Sequence, residues 1–220
     1  MNYKRITLLC GHYGSGKTNV AINMAYELKK QYEKVVIADL DIVNPYFRTK
    51  DSAAEFEKKG ISLVCSEYAG TNVDIPALPG EIYSLTDDKT TMAVIDVGGD
   101  DRGALALGRI APEIKRENDY EALLVINKFR PLTPDVESTL EVLGEIETAC
   151  GLKMTGLVNN SNLGVETKAE DILGSLEYAN KVSEVTSLPI VCTSICEDLY
   201  AELEGKIENL LPLKLQDKII

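Results

Sequence analysis

The sequence predicts an α/β fold, a mostly parallel sheet covered by helices on both faces in a three-layer, single-domain arrangement. Three observations carry this. Short continuous apolar runs recur along the chain, as strands buried on both faces require, rather than runs that alternate apolar with polar. Stretches with apolar residues at helical spacing separate them, so that strand and helix alternate throughout. Between the first strand and the first helix lies Gly11-His12-Tyr13-Gly14-Ser15-Gly16-Lys17-Thr18, which fits the phosphate-loop pattern G-x-x-x-x-G-K-[ST] at every position.

That loop sets the chemistry. Gly11, Gly14 and Gly16 let the backbone turn its N–H groups onto a phosphate, Lys17 supplies a compact charge for the β and γ oxygens, and Thr18 supplies a hydroxyl for Mg²⁺. Lys17 and Thr18 open a helix whose N-terminal amides favour an anion. The flanks agree, since Ile6-Thr7-Leu8-Leu9-Cys10 is a β-rich apolar run and Val20, Ala21, Met24, Ala25 and Leu28 lie at helical spacing. A nucleoside triphosphate is the expected ligand.

The 220 residues suit a single domain, 1–220, with a continuous core. The formal net charge of -12 argues against a sequence-independent grip on DNA and equally disfavours an anionic membrane surface. Neither nucleic acid nor membrane is therefore expected as a partner. No apolar run is long enough to span a bilayer and no signal-like segment opens the chain, so a cytoplasmic location is expected. The cysteines are odd in number, 5, without paired spacing, and read as buried thiols. Only Cys192 and Cys196 lie close together, and C-x-x-x-C is not a usual zinc or redox spacing.

A second buried strand, 34–38, runs into Asp39 and Asp41. Acids at the carboxyl end of a strand in an open α/β sheet face the ligand crevice, although Asp there also serves turns. Residues 49–59 then read as a helix closed by Gly60, followed by a strand at 61–64. Residues 69–80, with two prolines, read as a long loop, a surface connection or a substrate segment, before a short helix at 81–85. Residues 91–96 form a strand that ends on Asp96, followed by Gly98 and Gly99. An acid there would hold Mg²⁺ through water, while a glycine lets the backbone approach the γ-phosphate. Asp100, Asp101 and Arg102 follow without an assigned role.

Leu105, Leu107, Ile110 and Ile114 predict a helix interrupted at Pro112, before a strand at 122–126. The next residues, Asn127-Lys128-Phe129-Arg130, approach the guanine-reading N-K-x-D pattern, but Arg130 stands where a carboxylate must accept, which speaks against GTP. Thr133 as N-cap and Pro134 at the first position open a helix that Gly151 stops. A strand at 154–158 leads to Asn159, Asn160 and Asn162, whose carboxamides could read a purine edge or simply form turns. A helix at 168–183, a strand at 189–193 and a helix at 198–210 follow, and the tail from Leu211 packs on the body.

In order and spacing, GHYGSGKT, DLDIVNPYFR, IDVGGD and GLVNNSN resemble the CobQ/CobB/MinD/ParA nucleotide-binding superfamily of P-loop NTPases over nearly the whole chain. The resemblance implies a sheet of about seven strands, Mg²⁺-ATP as ligand, and often a homodimer that sandwiches nucleotide. It gives Lys17 to the β and γ phosphates, Thr18 and Asp96 to the magnesium, Asp41 to the attacking water, Asp39 to the metal shell and Asn160 to adenine. One position departs from the pattern. The signature lysine at the second loop position, which crosses the dimer interface, is His12 here. His12 could stand in as an imidazolium beside phosphate or could face solvent.

The function expected is a Mg²⁺-dependent ATPase that switches an unidentified partner protein, with a nucleotide-dependent homodimer as one route. A small-molecule kinase or ligase is the alternative, with Tyr46, Phe47, Arg48 and the loop 69–80 lining an acceptor pocket. A metallocentre-assembly role would have to draw on Cys192 and Cys196.

Overall fold

The computed structural model describes residues 3–41, 49–65, 81–99 and 101–216. The residues suggested for an acceptor pocket, Tyr46, Phe47, Arg48 and the loop 69–80, lie outside these, as does Asp100. The described chain builds one eight-stranded sheet: β1 (Ile6–Cys10), β2 (Val35–Leu40), β3 (Ser62–Cys65), β4 (Met92–Val97), β5 (Tyr120–Ile126), β6 (Gly156–Asn159), β7 (Ile190–Cys196) and β8 (Leu210–Leu213). Their order is β3-β2-β4-β1-β5-β6-β7-β8, and every pairing is parallel. The helices are α1 (Lys17–Lys29), α2 (Ala53–Lys59), α3 (Glu81–Asp87), α4 (Asp101–Glu117), α5 (Val136–Cys150), α6 (Ala169–Thr186) and α7 (Tyr200–Leu203).

Both faces of the sheet are buried, which explains why the strands read as unbroken apolar runs. Successive side chains point to opposite faces. Ile6, Leu8 and Cys10 of β1 join Leu107, Ile110 and Ile114 of α4 and Tyr178 of α6 in one core. Leu9 points the other way and joins Val20, Met24 and Leu28 of α1 and Phe56 of α2 in a second. β1 thus lies at the centre of the sheet, and its carboxyl end is where the phosphate loop begins.

Four expectations change. The tail does more than pack, because Leu210–Leu213 pairs with β7 as an eighth strand. Its period of two is visible in Leu211 and Leu213, both buried, and Pro212 is tolerated since β8 is the sheet's edge. The helix expected over 198–210 shrinks to a 3-10 turn, Glu197–Leu199, and the short α7. Pro112 does not interrupt α4, which runs through it while Leu107, Ile110, Ala111 and Ile114 anchor its apolar stripe on the sheet. The cap of α5 is Asp135, which accepts from Ser138 N at 2.9 Å, whereas the Thr133 hydroxyl donates to Asn127 O at 2.8 Å. Gly60 and Gly151 close their helices in the left-handed region as expected, with φ 66 at both.

At the amino end of the strands, away from the loop, Arg5 is a buried structural tie. Its guanidinium forks onto Glu117 of α4 and donates to Thr91 O and Leu85 O, each at 2.8 Å. Burial opposes the charge on Glu117, but Arg5 and Lys89 outweigh it and hold the carboxyl below its ordinary range. Arg5→Ala leaves that carboxylate and two carbonyls without their main donor. It should cost about 3–5 kcal/mol in chemical denaturation while nucleotide affinity, measured at the other end of the sheet, stays unchanged.

Candidate functional site

The loop between β1 and α1 folds back so that Ser15 N donates to His12 O at 3.1 Å, and Lys17 Nζ donates to the same carbonyl, also at 3.1 Å. Lys17 is buried, so its ammonium is held across the loop instead of trailing into water. Gly16 caps α1 with φ 89 and lies hard against the Asn160 side chain, where no Cβ would fit. Tyr13 is exposed and His12 half-buried, its Nδ1 within 3.1 Å of Tyr13 O.

β4 lies between β1 and β2, with Asp96 opposite Leu9 on one side and Asp39 on the other. The Asp96 carboxylate is fully buried. Its Oδ2 accepts from Thr18 Oγ1 at 2.8 Å and from Thr49 Oγ1 at 2.9 Å. Its Oδ1 is buried with no hydrogen-bond partner among the described residues. An orphaned carboxylate oxygen beside two hydroxyls whose protons are already committed is a donor set for a hard divalent cation. The residues therefore fit Mg²⁺. Thr18 would turn an oxygen lone pair to the ion and Asp96 would hold its water, with Thr49 bonded to the carboxylate.

Burial is the main force on the Asp96 carboxyl and pushes it up from the ordinary value. Lys17, Thr18 and Thr49 pull it down, and the charge of Asp41 adds to the rise. Asp39 is buried and its Oδ1 accepts from Asp41 N at 2.9 Å. The turn chemistry open in the sequence is thus present at Asp39, at the same place as the expected cluster. Lys17, Thr18, Asp39, Asp41 and Asp96 all gather at the carboxyl ends of β1, β2 and β4. No group of three or more His, Cys, Asp or Glu among the described residues is arranged to hold a metal alone, Cys192 and Cys196 included.

The two glycines after Asp96 do different work. Gly99 lies against the loop, where a Cβ would meet Tyr13 N at 2.6 Å and Lys17 Nζ at 2.8 Å. Gly98 instead receives Gly103 of α4, whose Cβ would lie 2.6 Å from Gly98 N. Gly99 is therefore the position beside the lysine. Gly103 is a residue that sequence reasoning missed, since a lone glycine in a helical stretch carries no signal of what it packs on.

On the opposite flank of the loop, Asn160 follows β6. Its Nδ2 donates to Ser15 O at 2.6 Å, and its Oδ1 accepts from Ser194 Oγ at 2.6 Å and Asn162 Nδ2 at 2.9 Å. The side chain expected at a base edge thus holds the phosphate loop in place, with both ends of its amide engaged inside the protein. Asn127, in the N-K-x-D look-alike, does not bond the loop. Its Oδ1 accepts from Phe129 N at 3.0 Å and Asn162 N at 3.3 Å, and Arg130 is exposed. At the β6 end it is Asn160 that reaches the loop, and Leu163 stands in the fourth place counted from it.

A cavity of about 390 Å³ opens beside the loop, between Tyr13 and Gly99 at one side and Val142, Ile146 and Ala149 of α5 at the other. Its size lies within the range of small-molecule sites.

Two measurements test this geometry. Asp96→Asn removes a buried charge. Because burial raises the folded carboxyl, the neutral form favours folding below about pH 4 and that contribution is lost as pH rises through the raised value. The variant without nucleotide or metal should therefore melt about 2–6 °C higher than wild type at pH 8, with the gap closing toward pH 4. Ser194→Ala removes one of the two donors on Asn160 Oδ1, and should weaken nucleotide binding by about 1 kcal/mol, roughly fivefold in Kd, in a fluorescence titration.

No family model and no curated protein matches the chain. Solved structures do. It is similar to chloroplast FtsY from Physcomitrella patens (TM-score 0.59, 16% identity, 88% of this chain and 59% of that one). It is similar also to cell division protein FtsY from Thermotoga maritima (0.58, 15%, 86% and 61%). A third is the Signal Recognition Particle 54 kDa protein from Aeropyrum pernix K1 in complex with GDP (0.54, 18%, 86% and 41%). The chain spans only 41% to 61% of these proteins' lengths, and at such identity the likeness is one of fold: a parallel α/β sheet with helices on both sides.

Proposed function

We propose that this chain is a Mg²⁺-dependent ATPase of the CobQ/CobB/MinD/ParA superfamily, acting as a nucleotide-driven switch for a partner protein. The observation that carries this reading is the convergence of Lys17, Thr18, Asp41 and Asp96 on one loop, with Asp96 Oδ1 left for a cation.

Each residue then has a task. The loop backbone and Lys17 bind the β and γ phosphates, and Lys17 offsets charge that builds on the γ-phosphoryl oxygens during transfer. Thr18 and Asp96 would hold Mg²⁺, which when bound supplies charge neutralisation to the phosphates. Asp41 orients the attacking water, and Asp39 fixes the turn that presents Asp41. Gly99, which has no side chain to bar the approach, lies beside Lys17 at the γ end. Asn160 holds the loop, and the base lies along 160–163.

Adenine suits that segment better than guanine. Guanine N1 and N2 need a carboxylate acceptor, and 160–163 ends on Leu163. The Aeropyrum pernix structure is of a GDP complex, so a guanine nucleotide is the reading to test against. A second functional reading, the small-molecule kinase or ligase, is favoured by the cavity beside Tyr13 and Gly99, whose volume would admit an acceptor there. Among the described residues no helix is long and apolar enough to cross a membrane.

The test is a paired titration with ATP and GTP in Mg²⁺. Tighter ATP binding that is lost in Lys17→Ala supports the reading, and tighter GTP binding overturns its base assignment. Asp41→Ala should retain ATP binding while hydrolysis falls about 10²–10⁴-fold, and normal turnover would remove Asp41 from its role. Light scattering with and without Mg²⁺ and a non-hydrolysable ATP analogue, on wild type and His12→Ala, then separates the readings. A nucleotide-dependent dimer lost in the variant supports the switch with His12 in the interface. A constant mass favours the kinase or ligase.

A further inference from the structure

The Thr49 hydroxyl has no place in the loop motif or in the resemblance. It opens the 3-10 turn Thr49–Ser52 that leads into α2, is fully buried, and donates to the very oxygen of Asp96 that Thr18 also reaches. A threonine at a helix start ordinarily turns its hydroxyl to its own helix's amides. This one reaches across 47 residues of sequence to β4 instead.

We infer that Thr49 is a positioning residue of the cation site, fixing the Asp96 carboxylate so that Oδ1 faces the ion and thereby setting the affinity for Mg²⁺. The argument starts from the carboxylate. A single hydrogen bond from Thr18 would leave it free to rotate about its terminal torsion, whose wells are broad. A second donor on the same oxygen fixes the plane. With Oδ2 held by two hydroxyls at 2.8 and 2.9 Å, Oδ1 is kept without a protein donor in a buried setting, where a cation or its water is the group that satisfies it. Partners that orient a metal-binding carboxylate in this way set affinity although they touch no ligand themselves.

The inference rests on the Mg²⁺-nucleotide reading, and the test keeps the two apart. Affinity for ADP is measured by calorimetry with Mg²⁺ and with EDTA, and Mn²⁺ affinity of the ADP complex by electron paramagnetic resonance, on wild type, Thr49→Val and Thr49→Ser. The expected result is a Mn²⁺ affinity about tenfold weaker in Thr49→Val, with ADP affinity in EDTA unchanged and Thr49→Ser close to wild type. Unchanged Mn²⁺ affinity in Thr49→Val overturns the inference. So does an equal loss in EDTA and in metal, which would make Thr49 a packing residue only. If the wild type binds ADP with no dependence on divalent cation, the Mg²⁺ reading fails and Thr49 with it. If metal dependence is present but indifferent to Thr49, the Mg²⁺ reading stands and only Thr49 falls.

Discussion

The constraint on which the site depends is the cost of burying the Asp96 carboxylate at the carboxyl end of β4, in a sheet that is covered on both faces. A lone buried carboxylate loses far more in hydration than packing returns, so it persists only where donors and opposite charge meet it. Here two threonine hydroxyls and the field of Lys17 do so, and they come from two places in the chain, the start of α1 and the turn at Thr49. The carboxylate thus draws the helix after the phosphate loop and the turn before α2 toward one point. The carboxylate's other oxygen, Oδ1, is the one that no donor among the described residues meets.

The phosphate loop is held from both flanks, and the two supports differ in kind. On the β4 side Gly99 touches Tyr13 and the lysine by van der Waals approach, with Gly103 of α4 seated behind Gly98. On the β6 side the support is a buried polar network. Ser194 holds Asn160, which holds Ser15, while Asn159 accepts from Ser161 Oγ at 2.7 Å and donates to Ser175 Oγ at 3.0 Å. A network of this sort is directional and satisfied at nearly every atom, so it fixes position more sharply than packing would. The flank beside the γ end is the one made of glycine, which is free to change its backbone angles.

Much of this was legible because the relevant signals are local. The phosphate loop needs contiguous glycines and a lysine, and buried parallel strands need unbroken apolar runs, so the strands and the cluster of Lys17, Thr18, Asp39, Asp41 and Asp96 could be placed from residue types and spacing. What was not legible depends on partners far apart in the chain. Nothing near Thr49 marks its hydroxyl as aimed at Asp96, and nothing near Ser194 marks it as support for Asn160. The Asn127 look-alike was misleading for the same reason, because a tetrapeptide does not reveal which strand end will lie against the loop. β8 was read as a packed tail since four residues with a proline give too short a period-two pattern to stand out, until β7 is there to pair with. Pro112 shows the reverse case, a local breaker overridden by an apolar stripe that the sheet holds in place.

Pro212 has a consequence beyond its own strand. Along a parallel strand the peptide groups alternate sides, and Asn209 O accepts from Thr193 of β7, so 209, 211 and 213 face inward and 212 faces the open margin. Its ring removes the N–H that an incoming strand would use there. The sheet is thereby protected on this side against edge-to-edge aggregation, and a second copy of the chain cannot add itself as a ninth strand with full pairing.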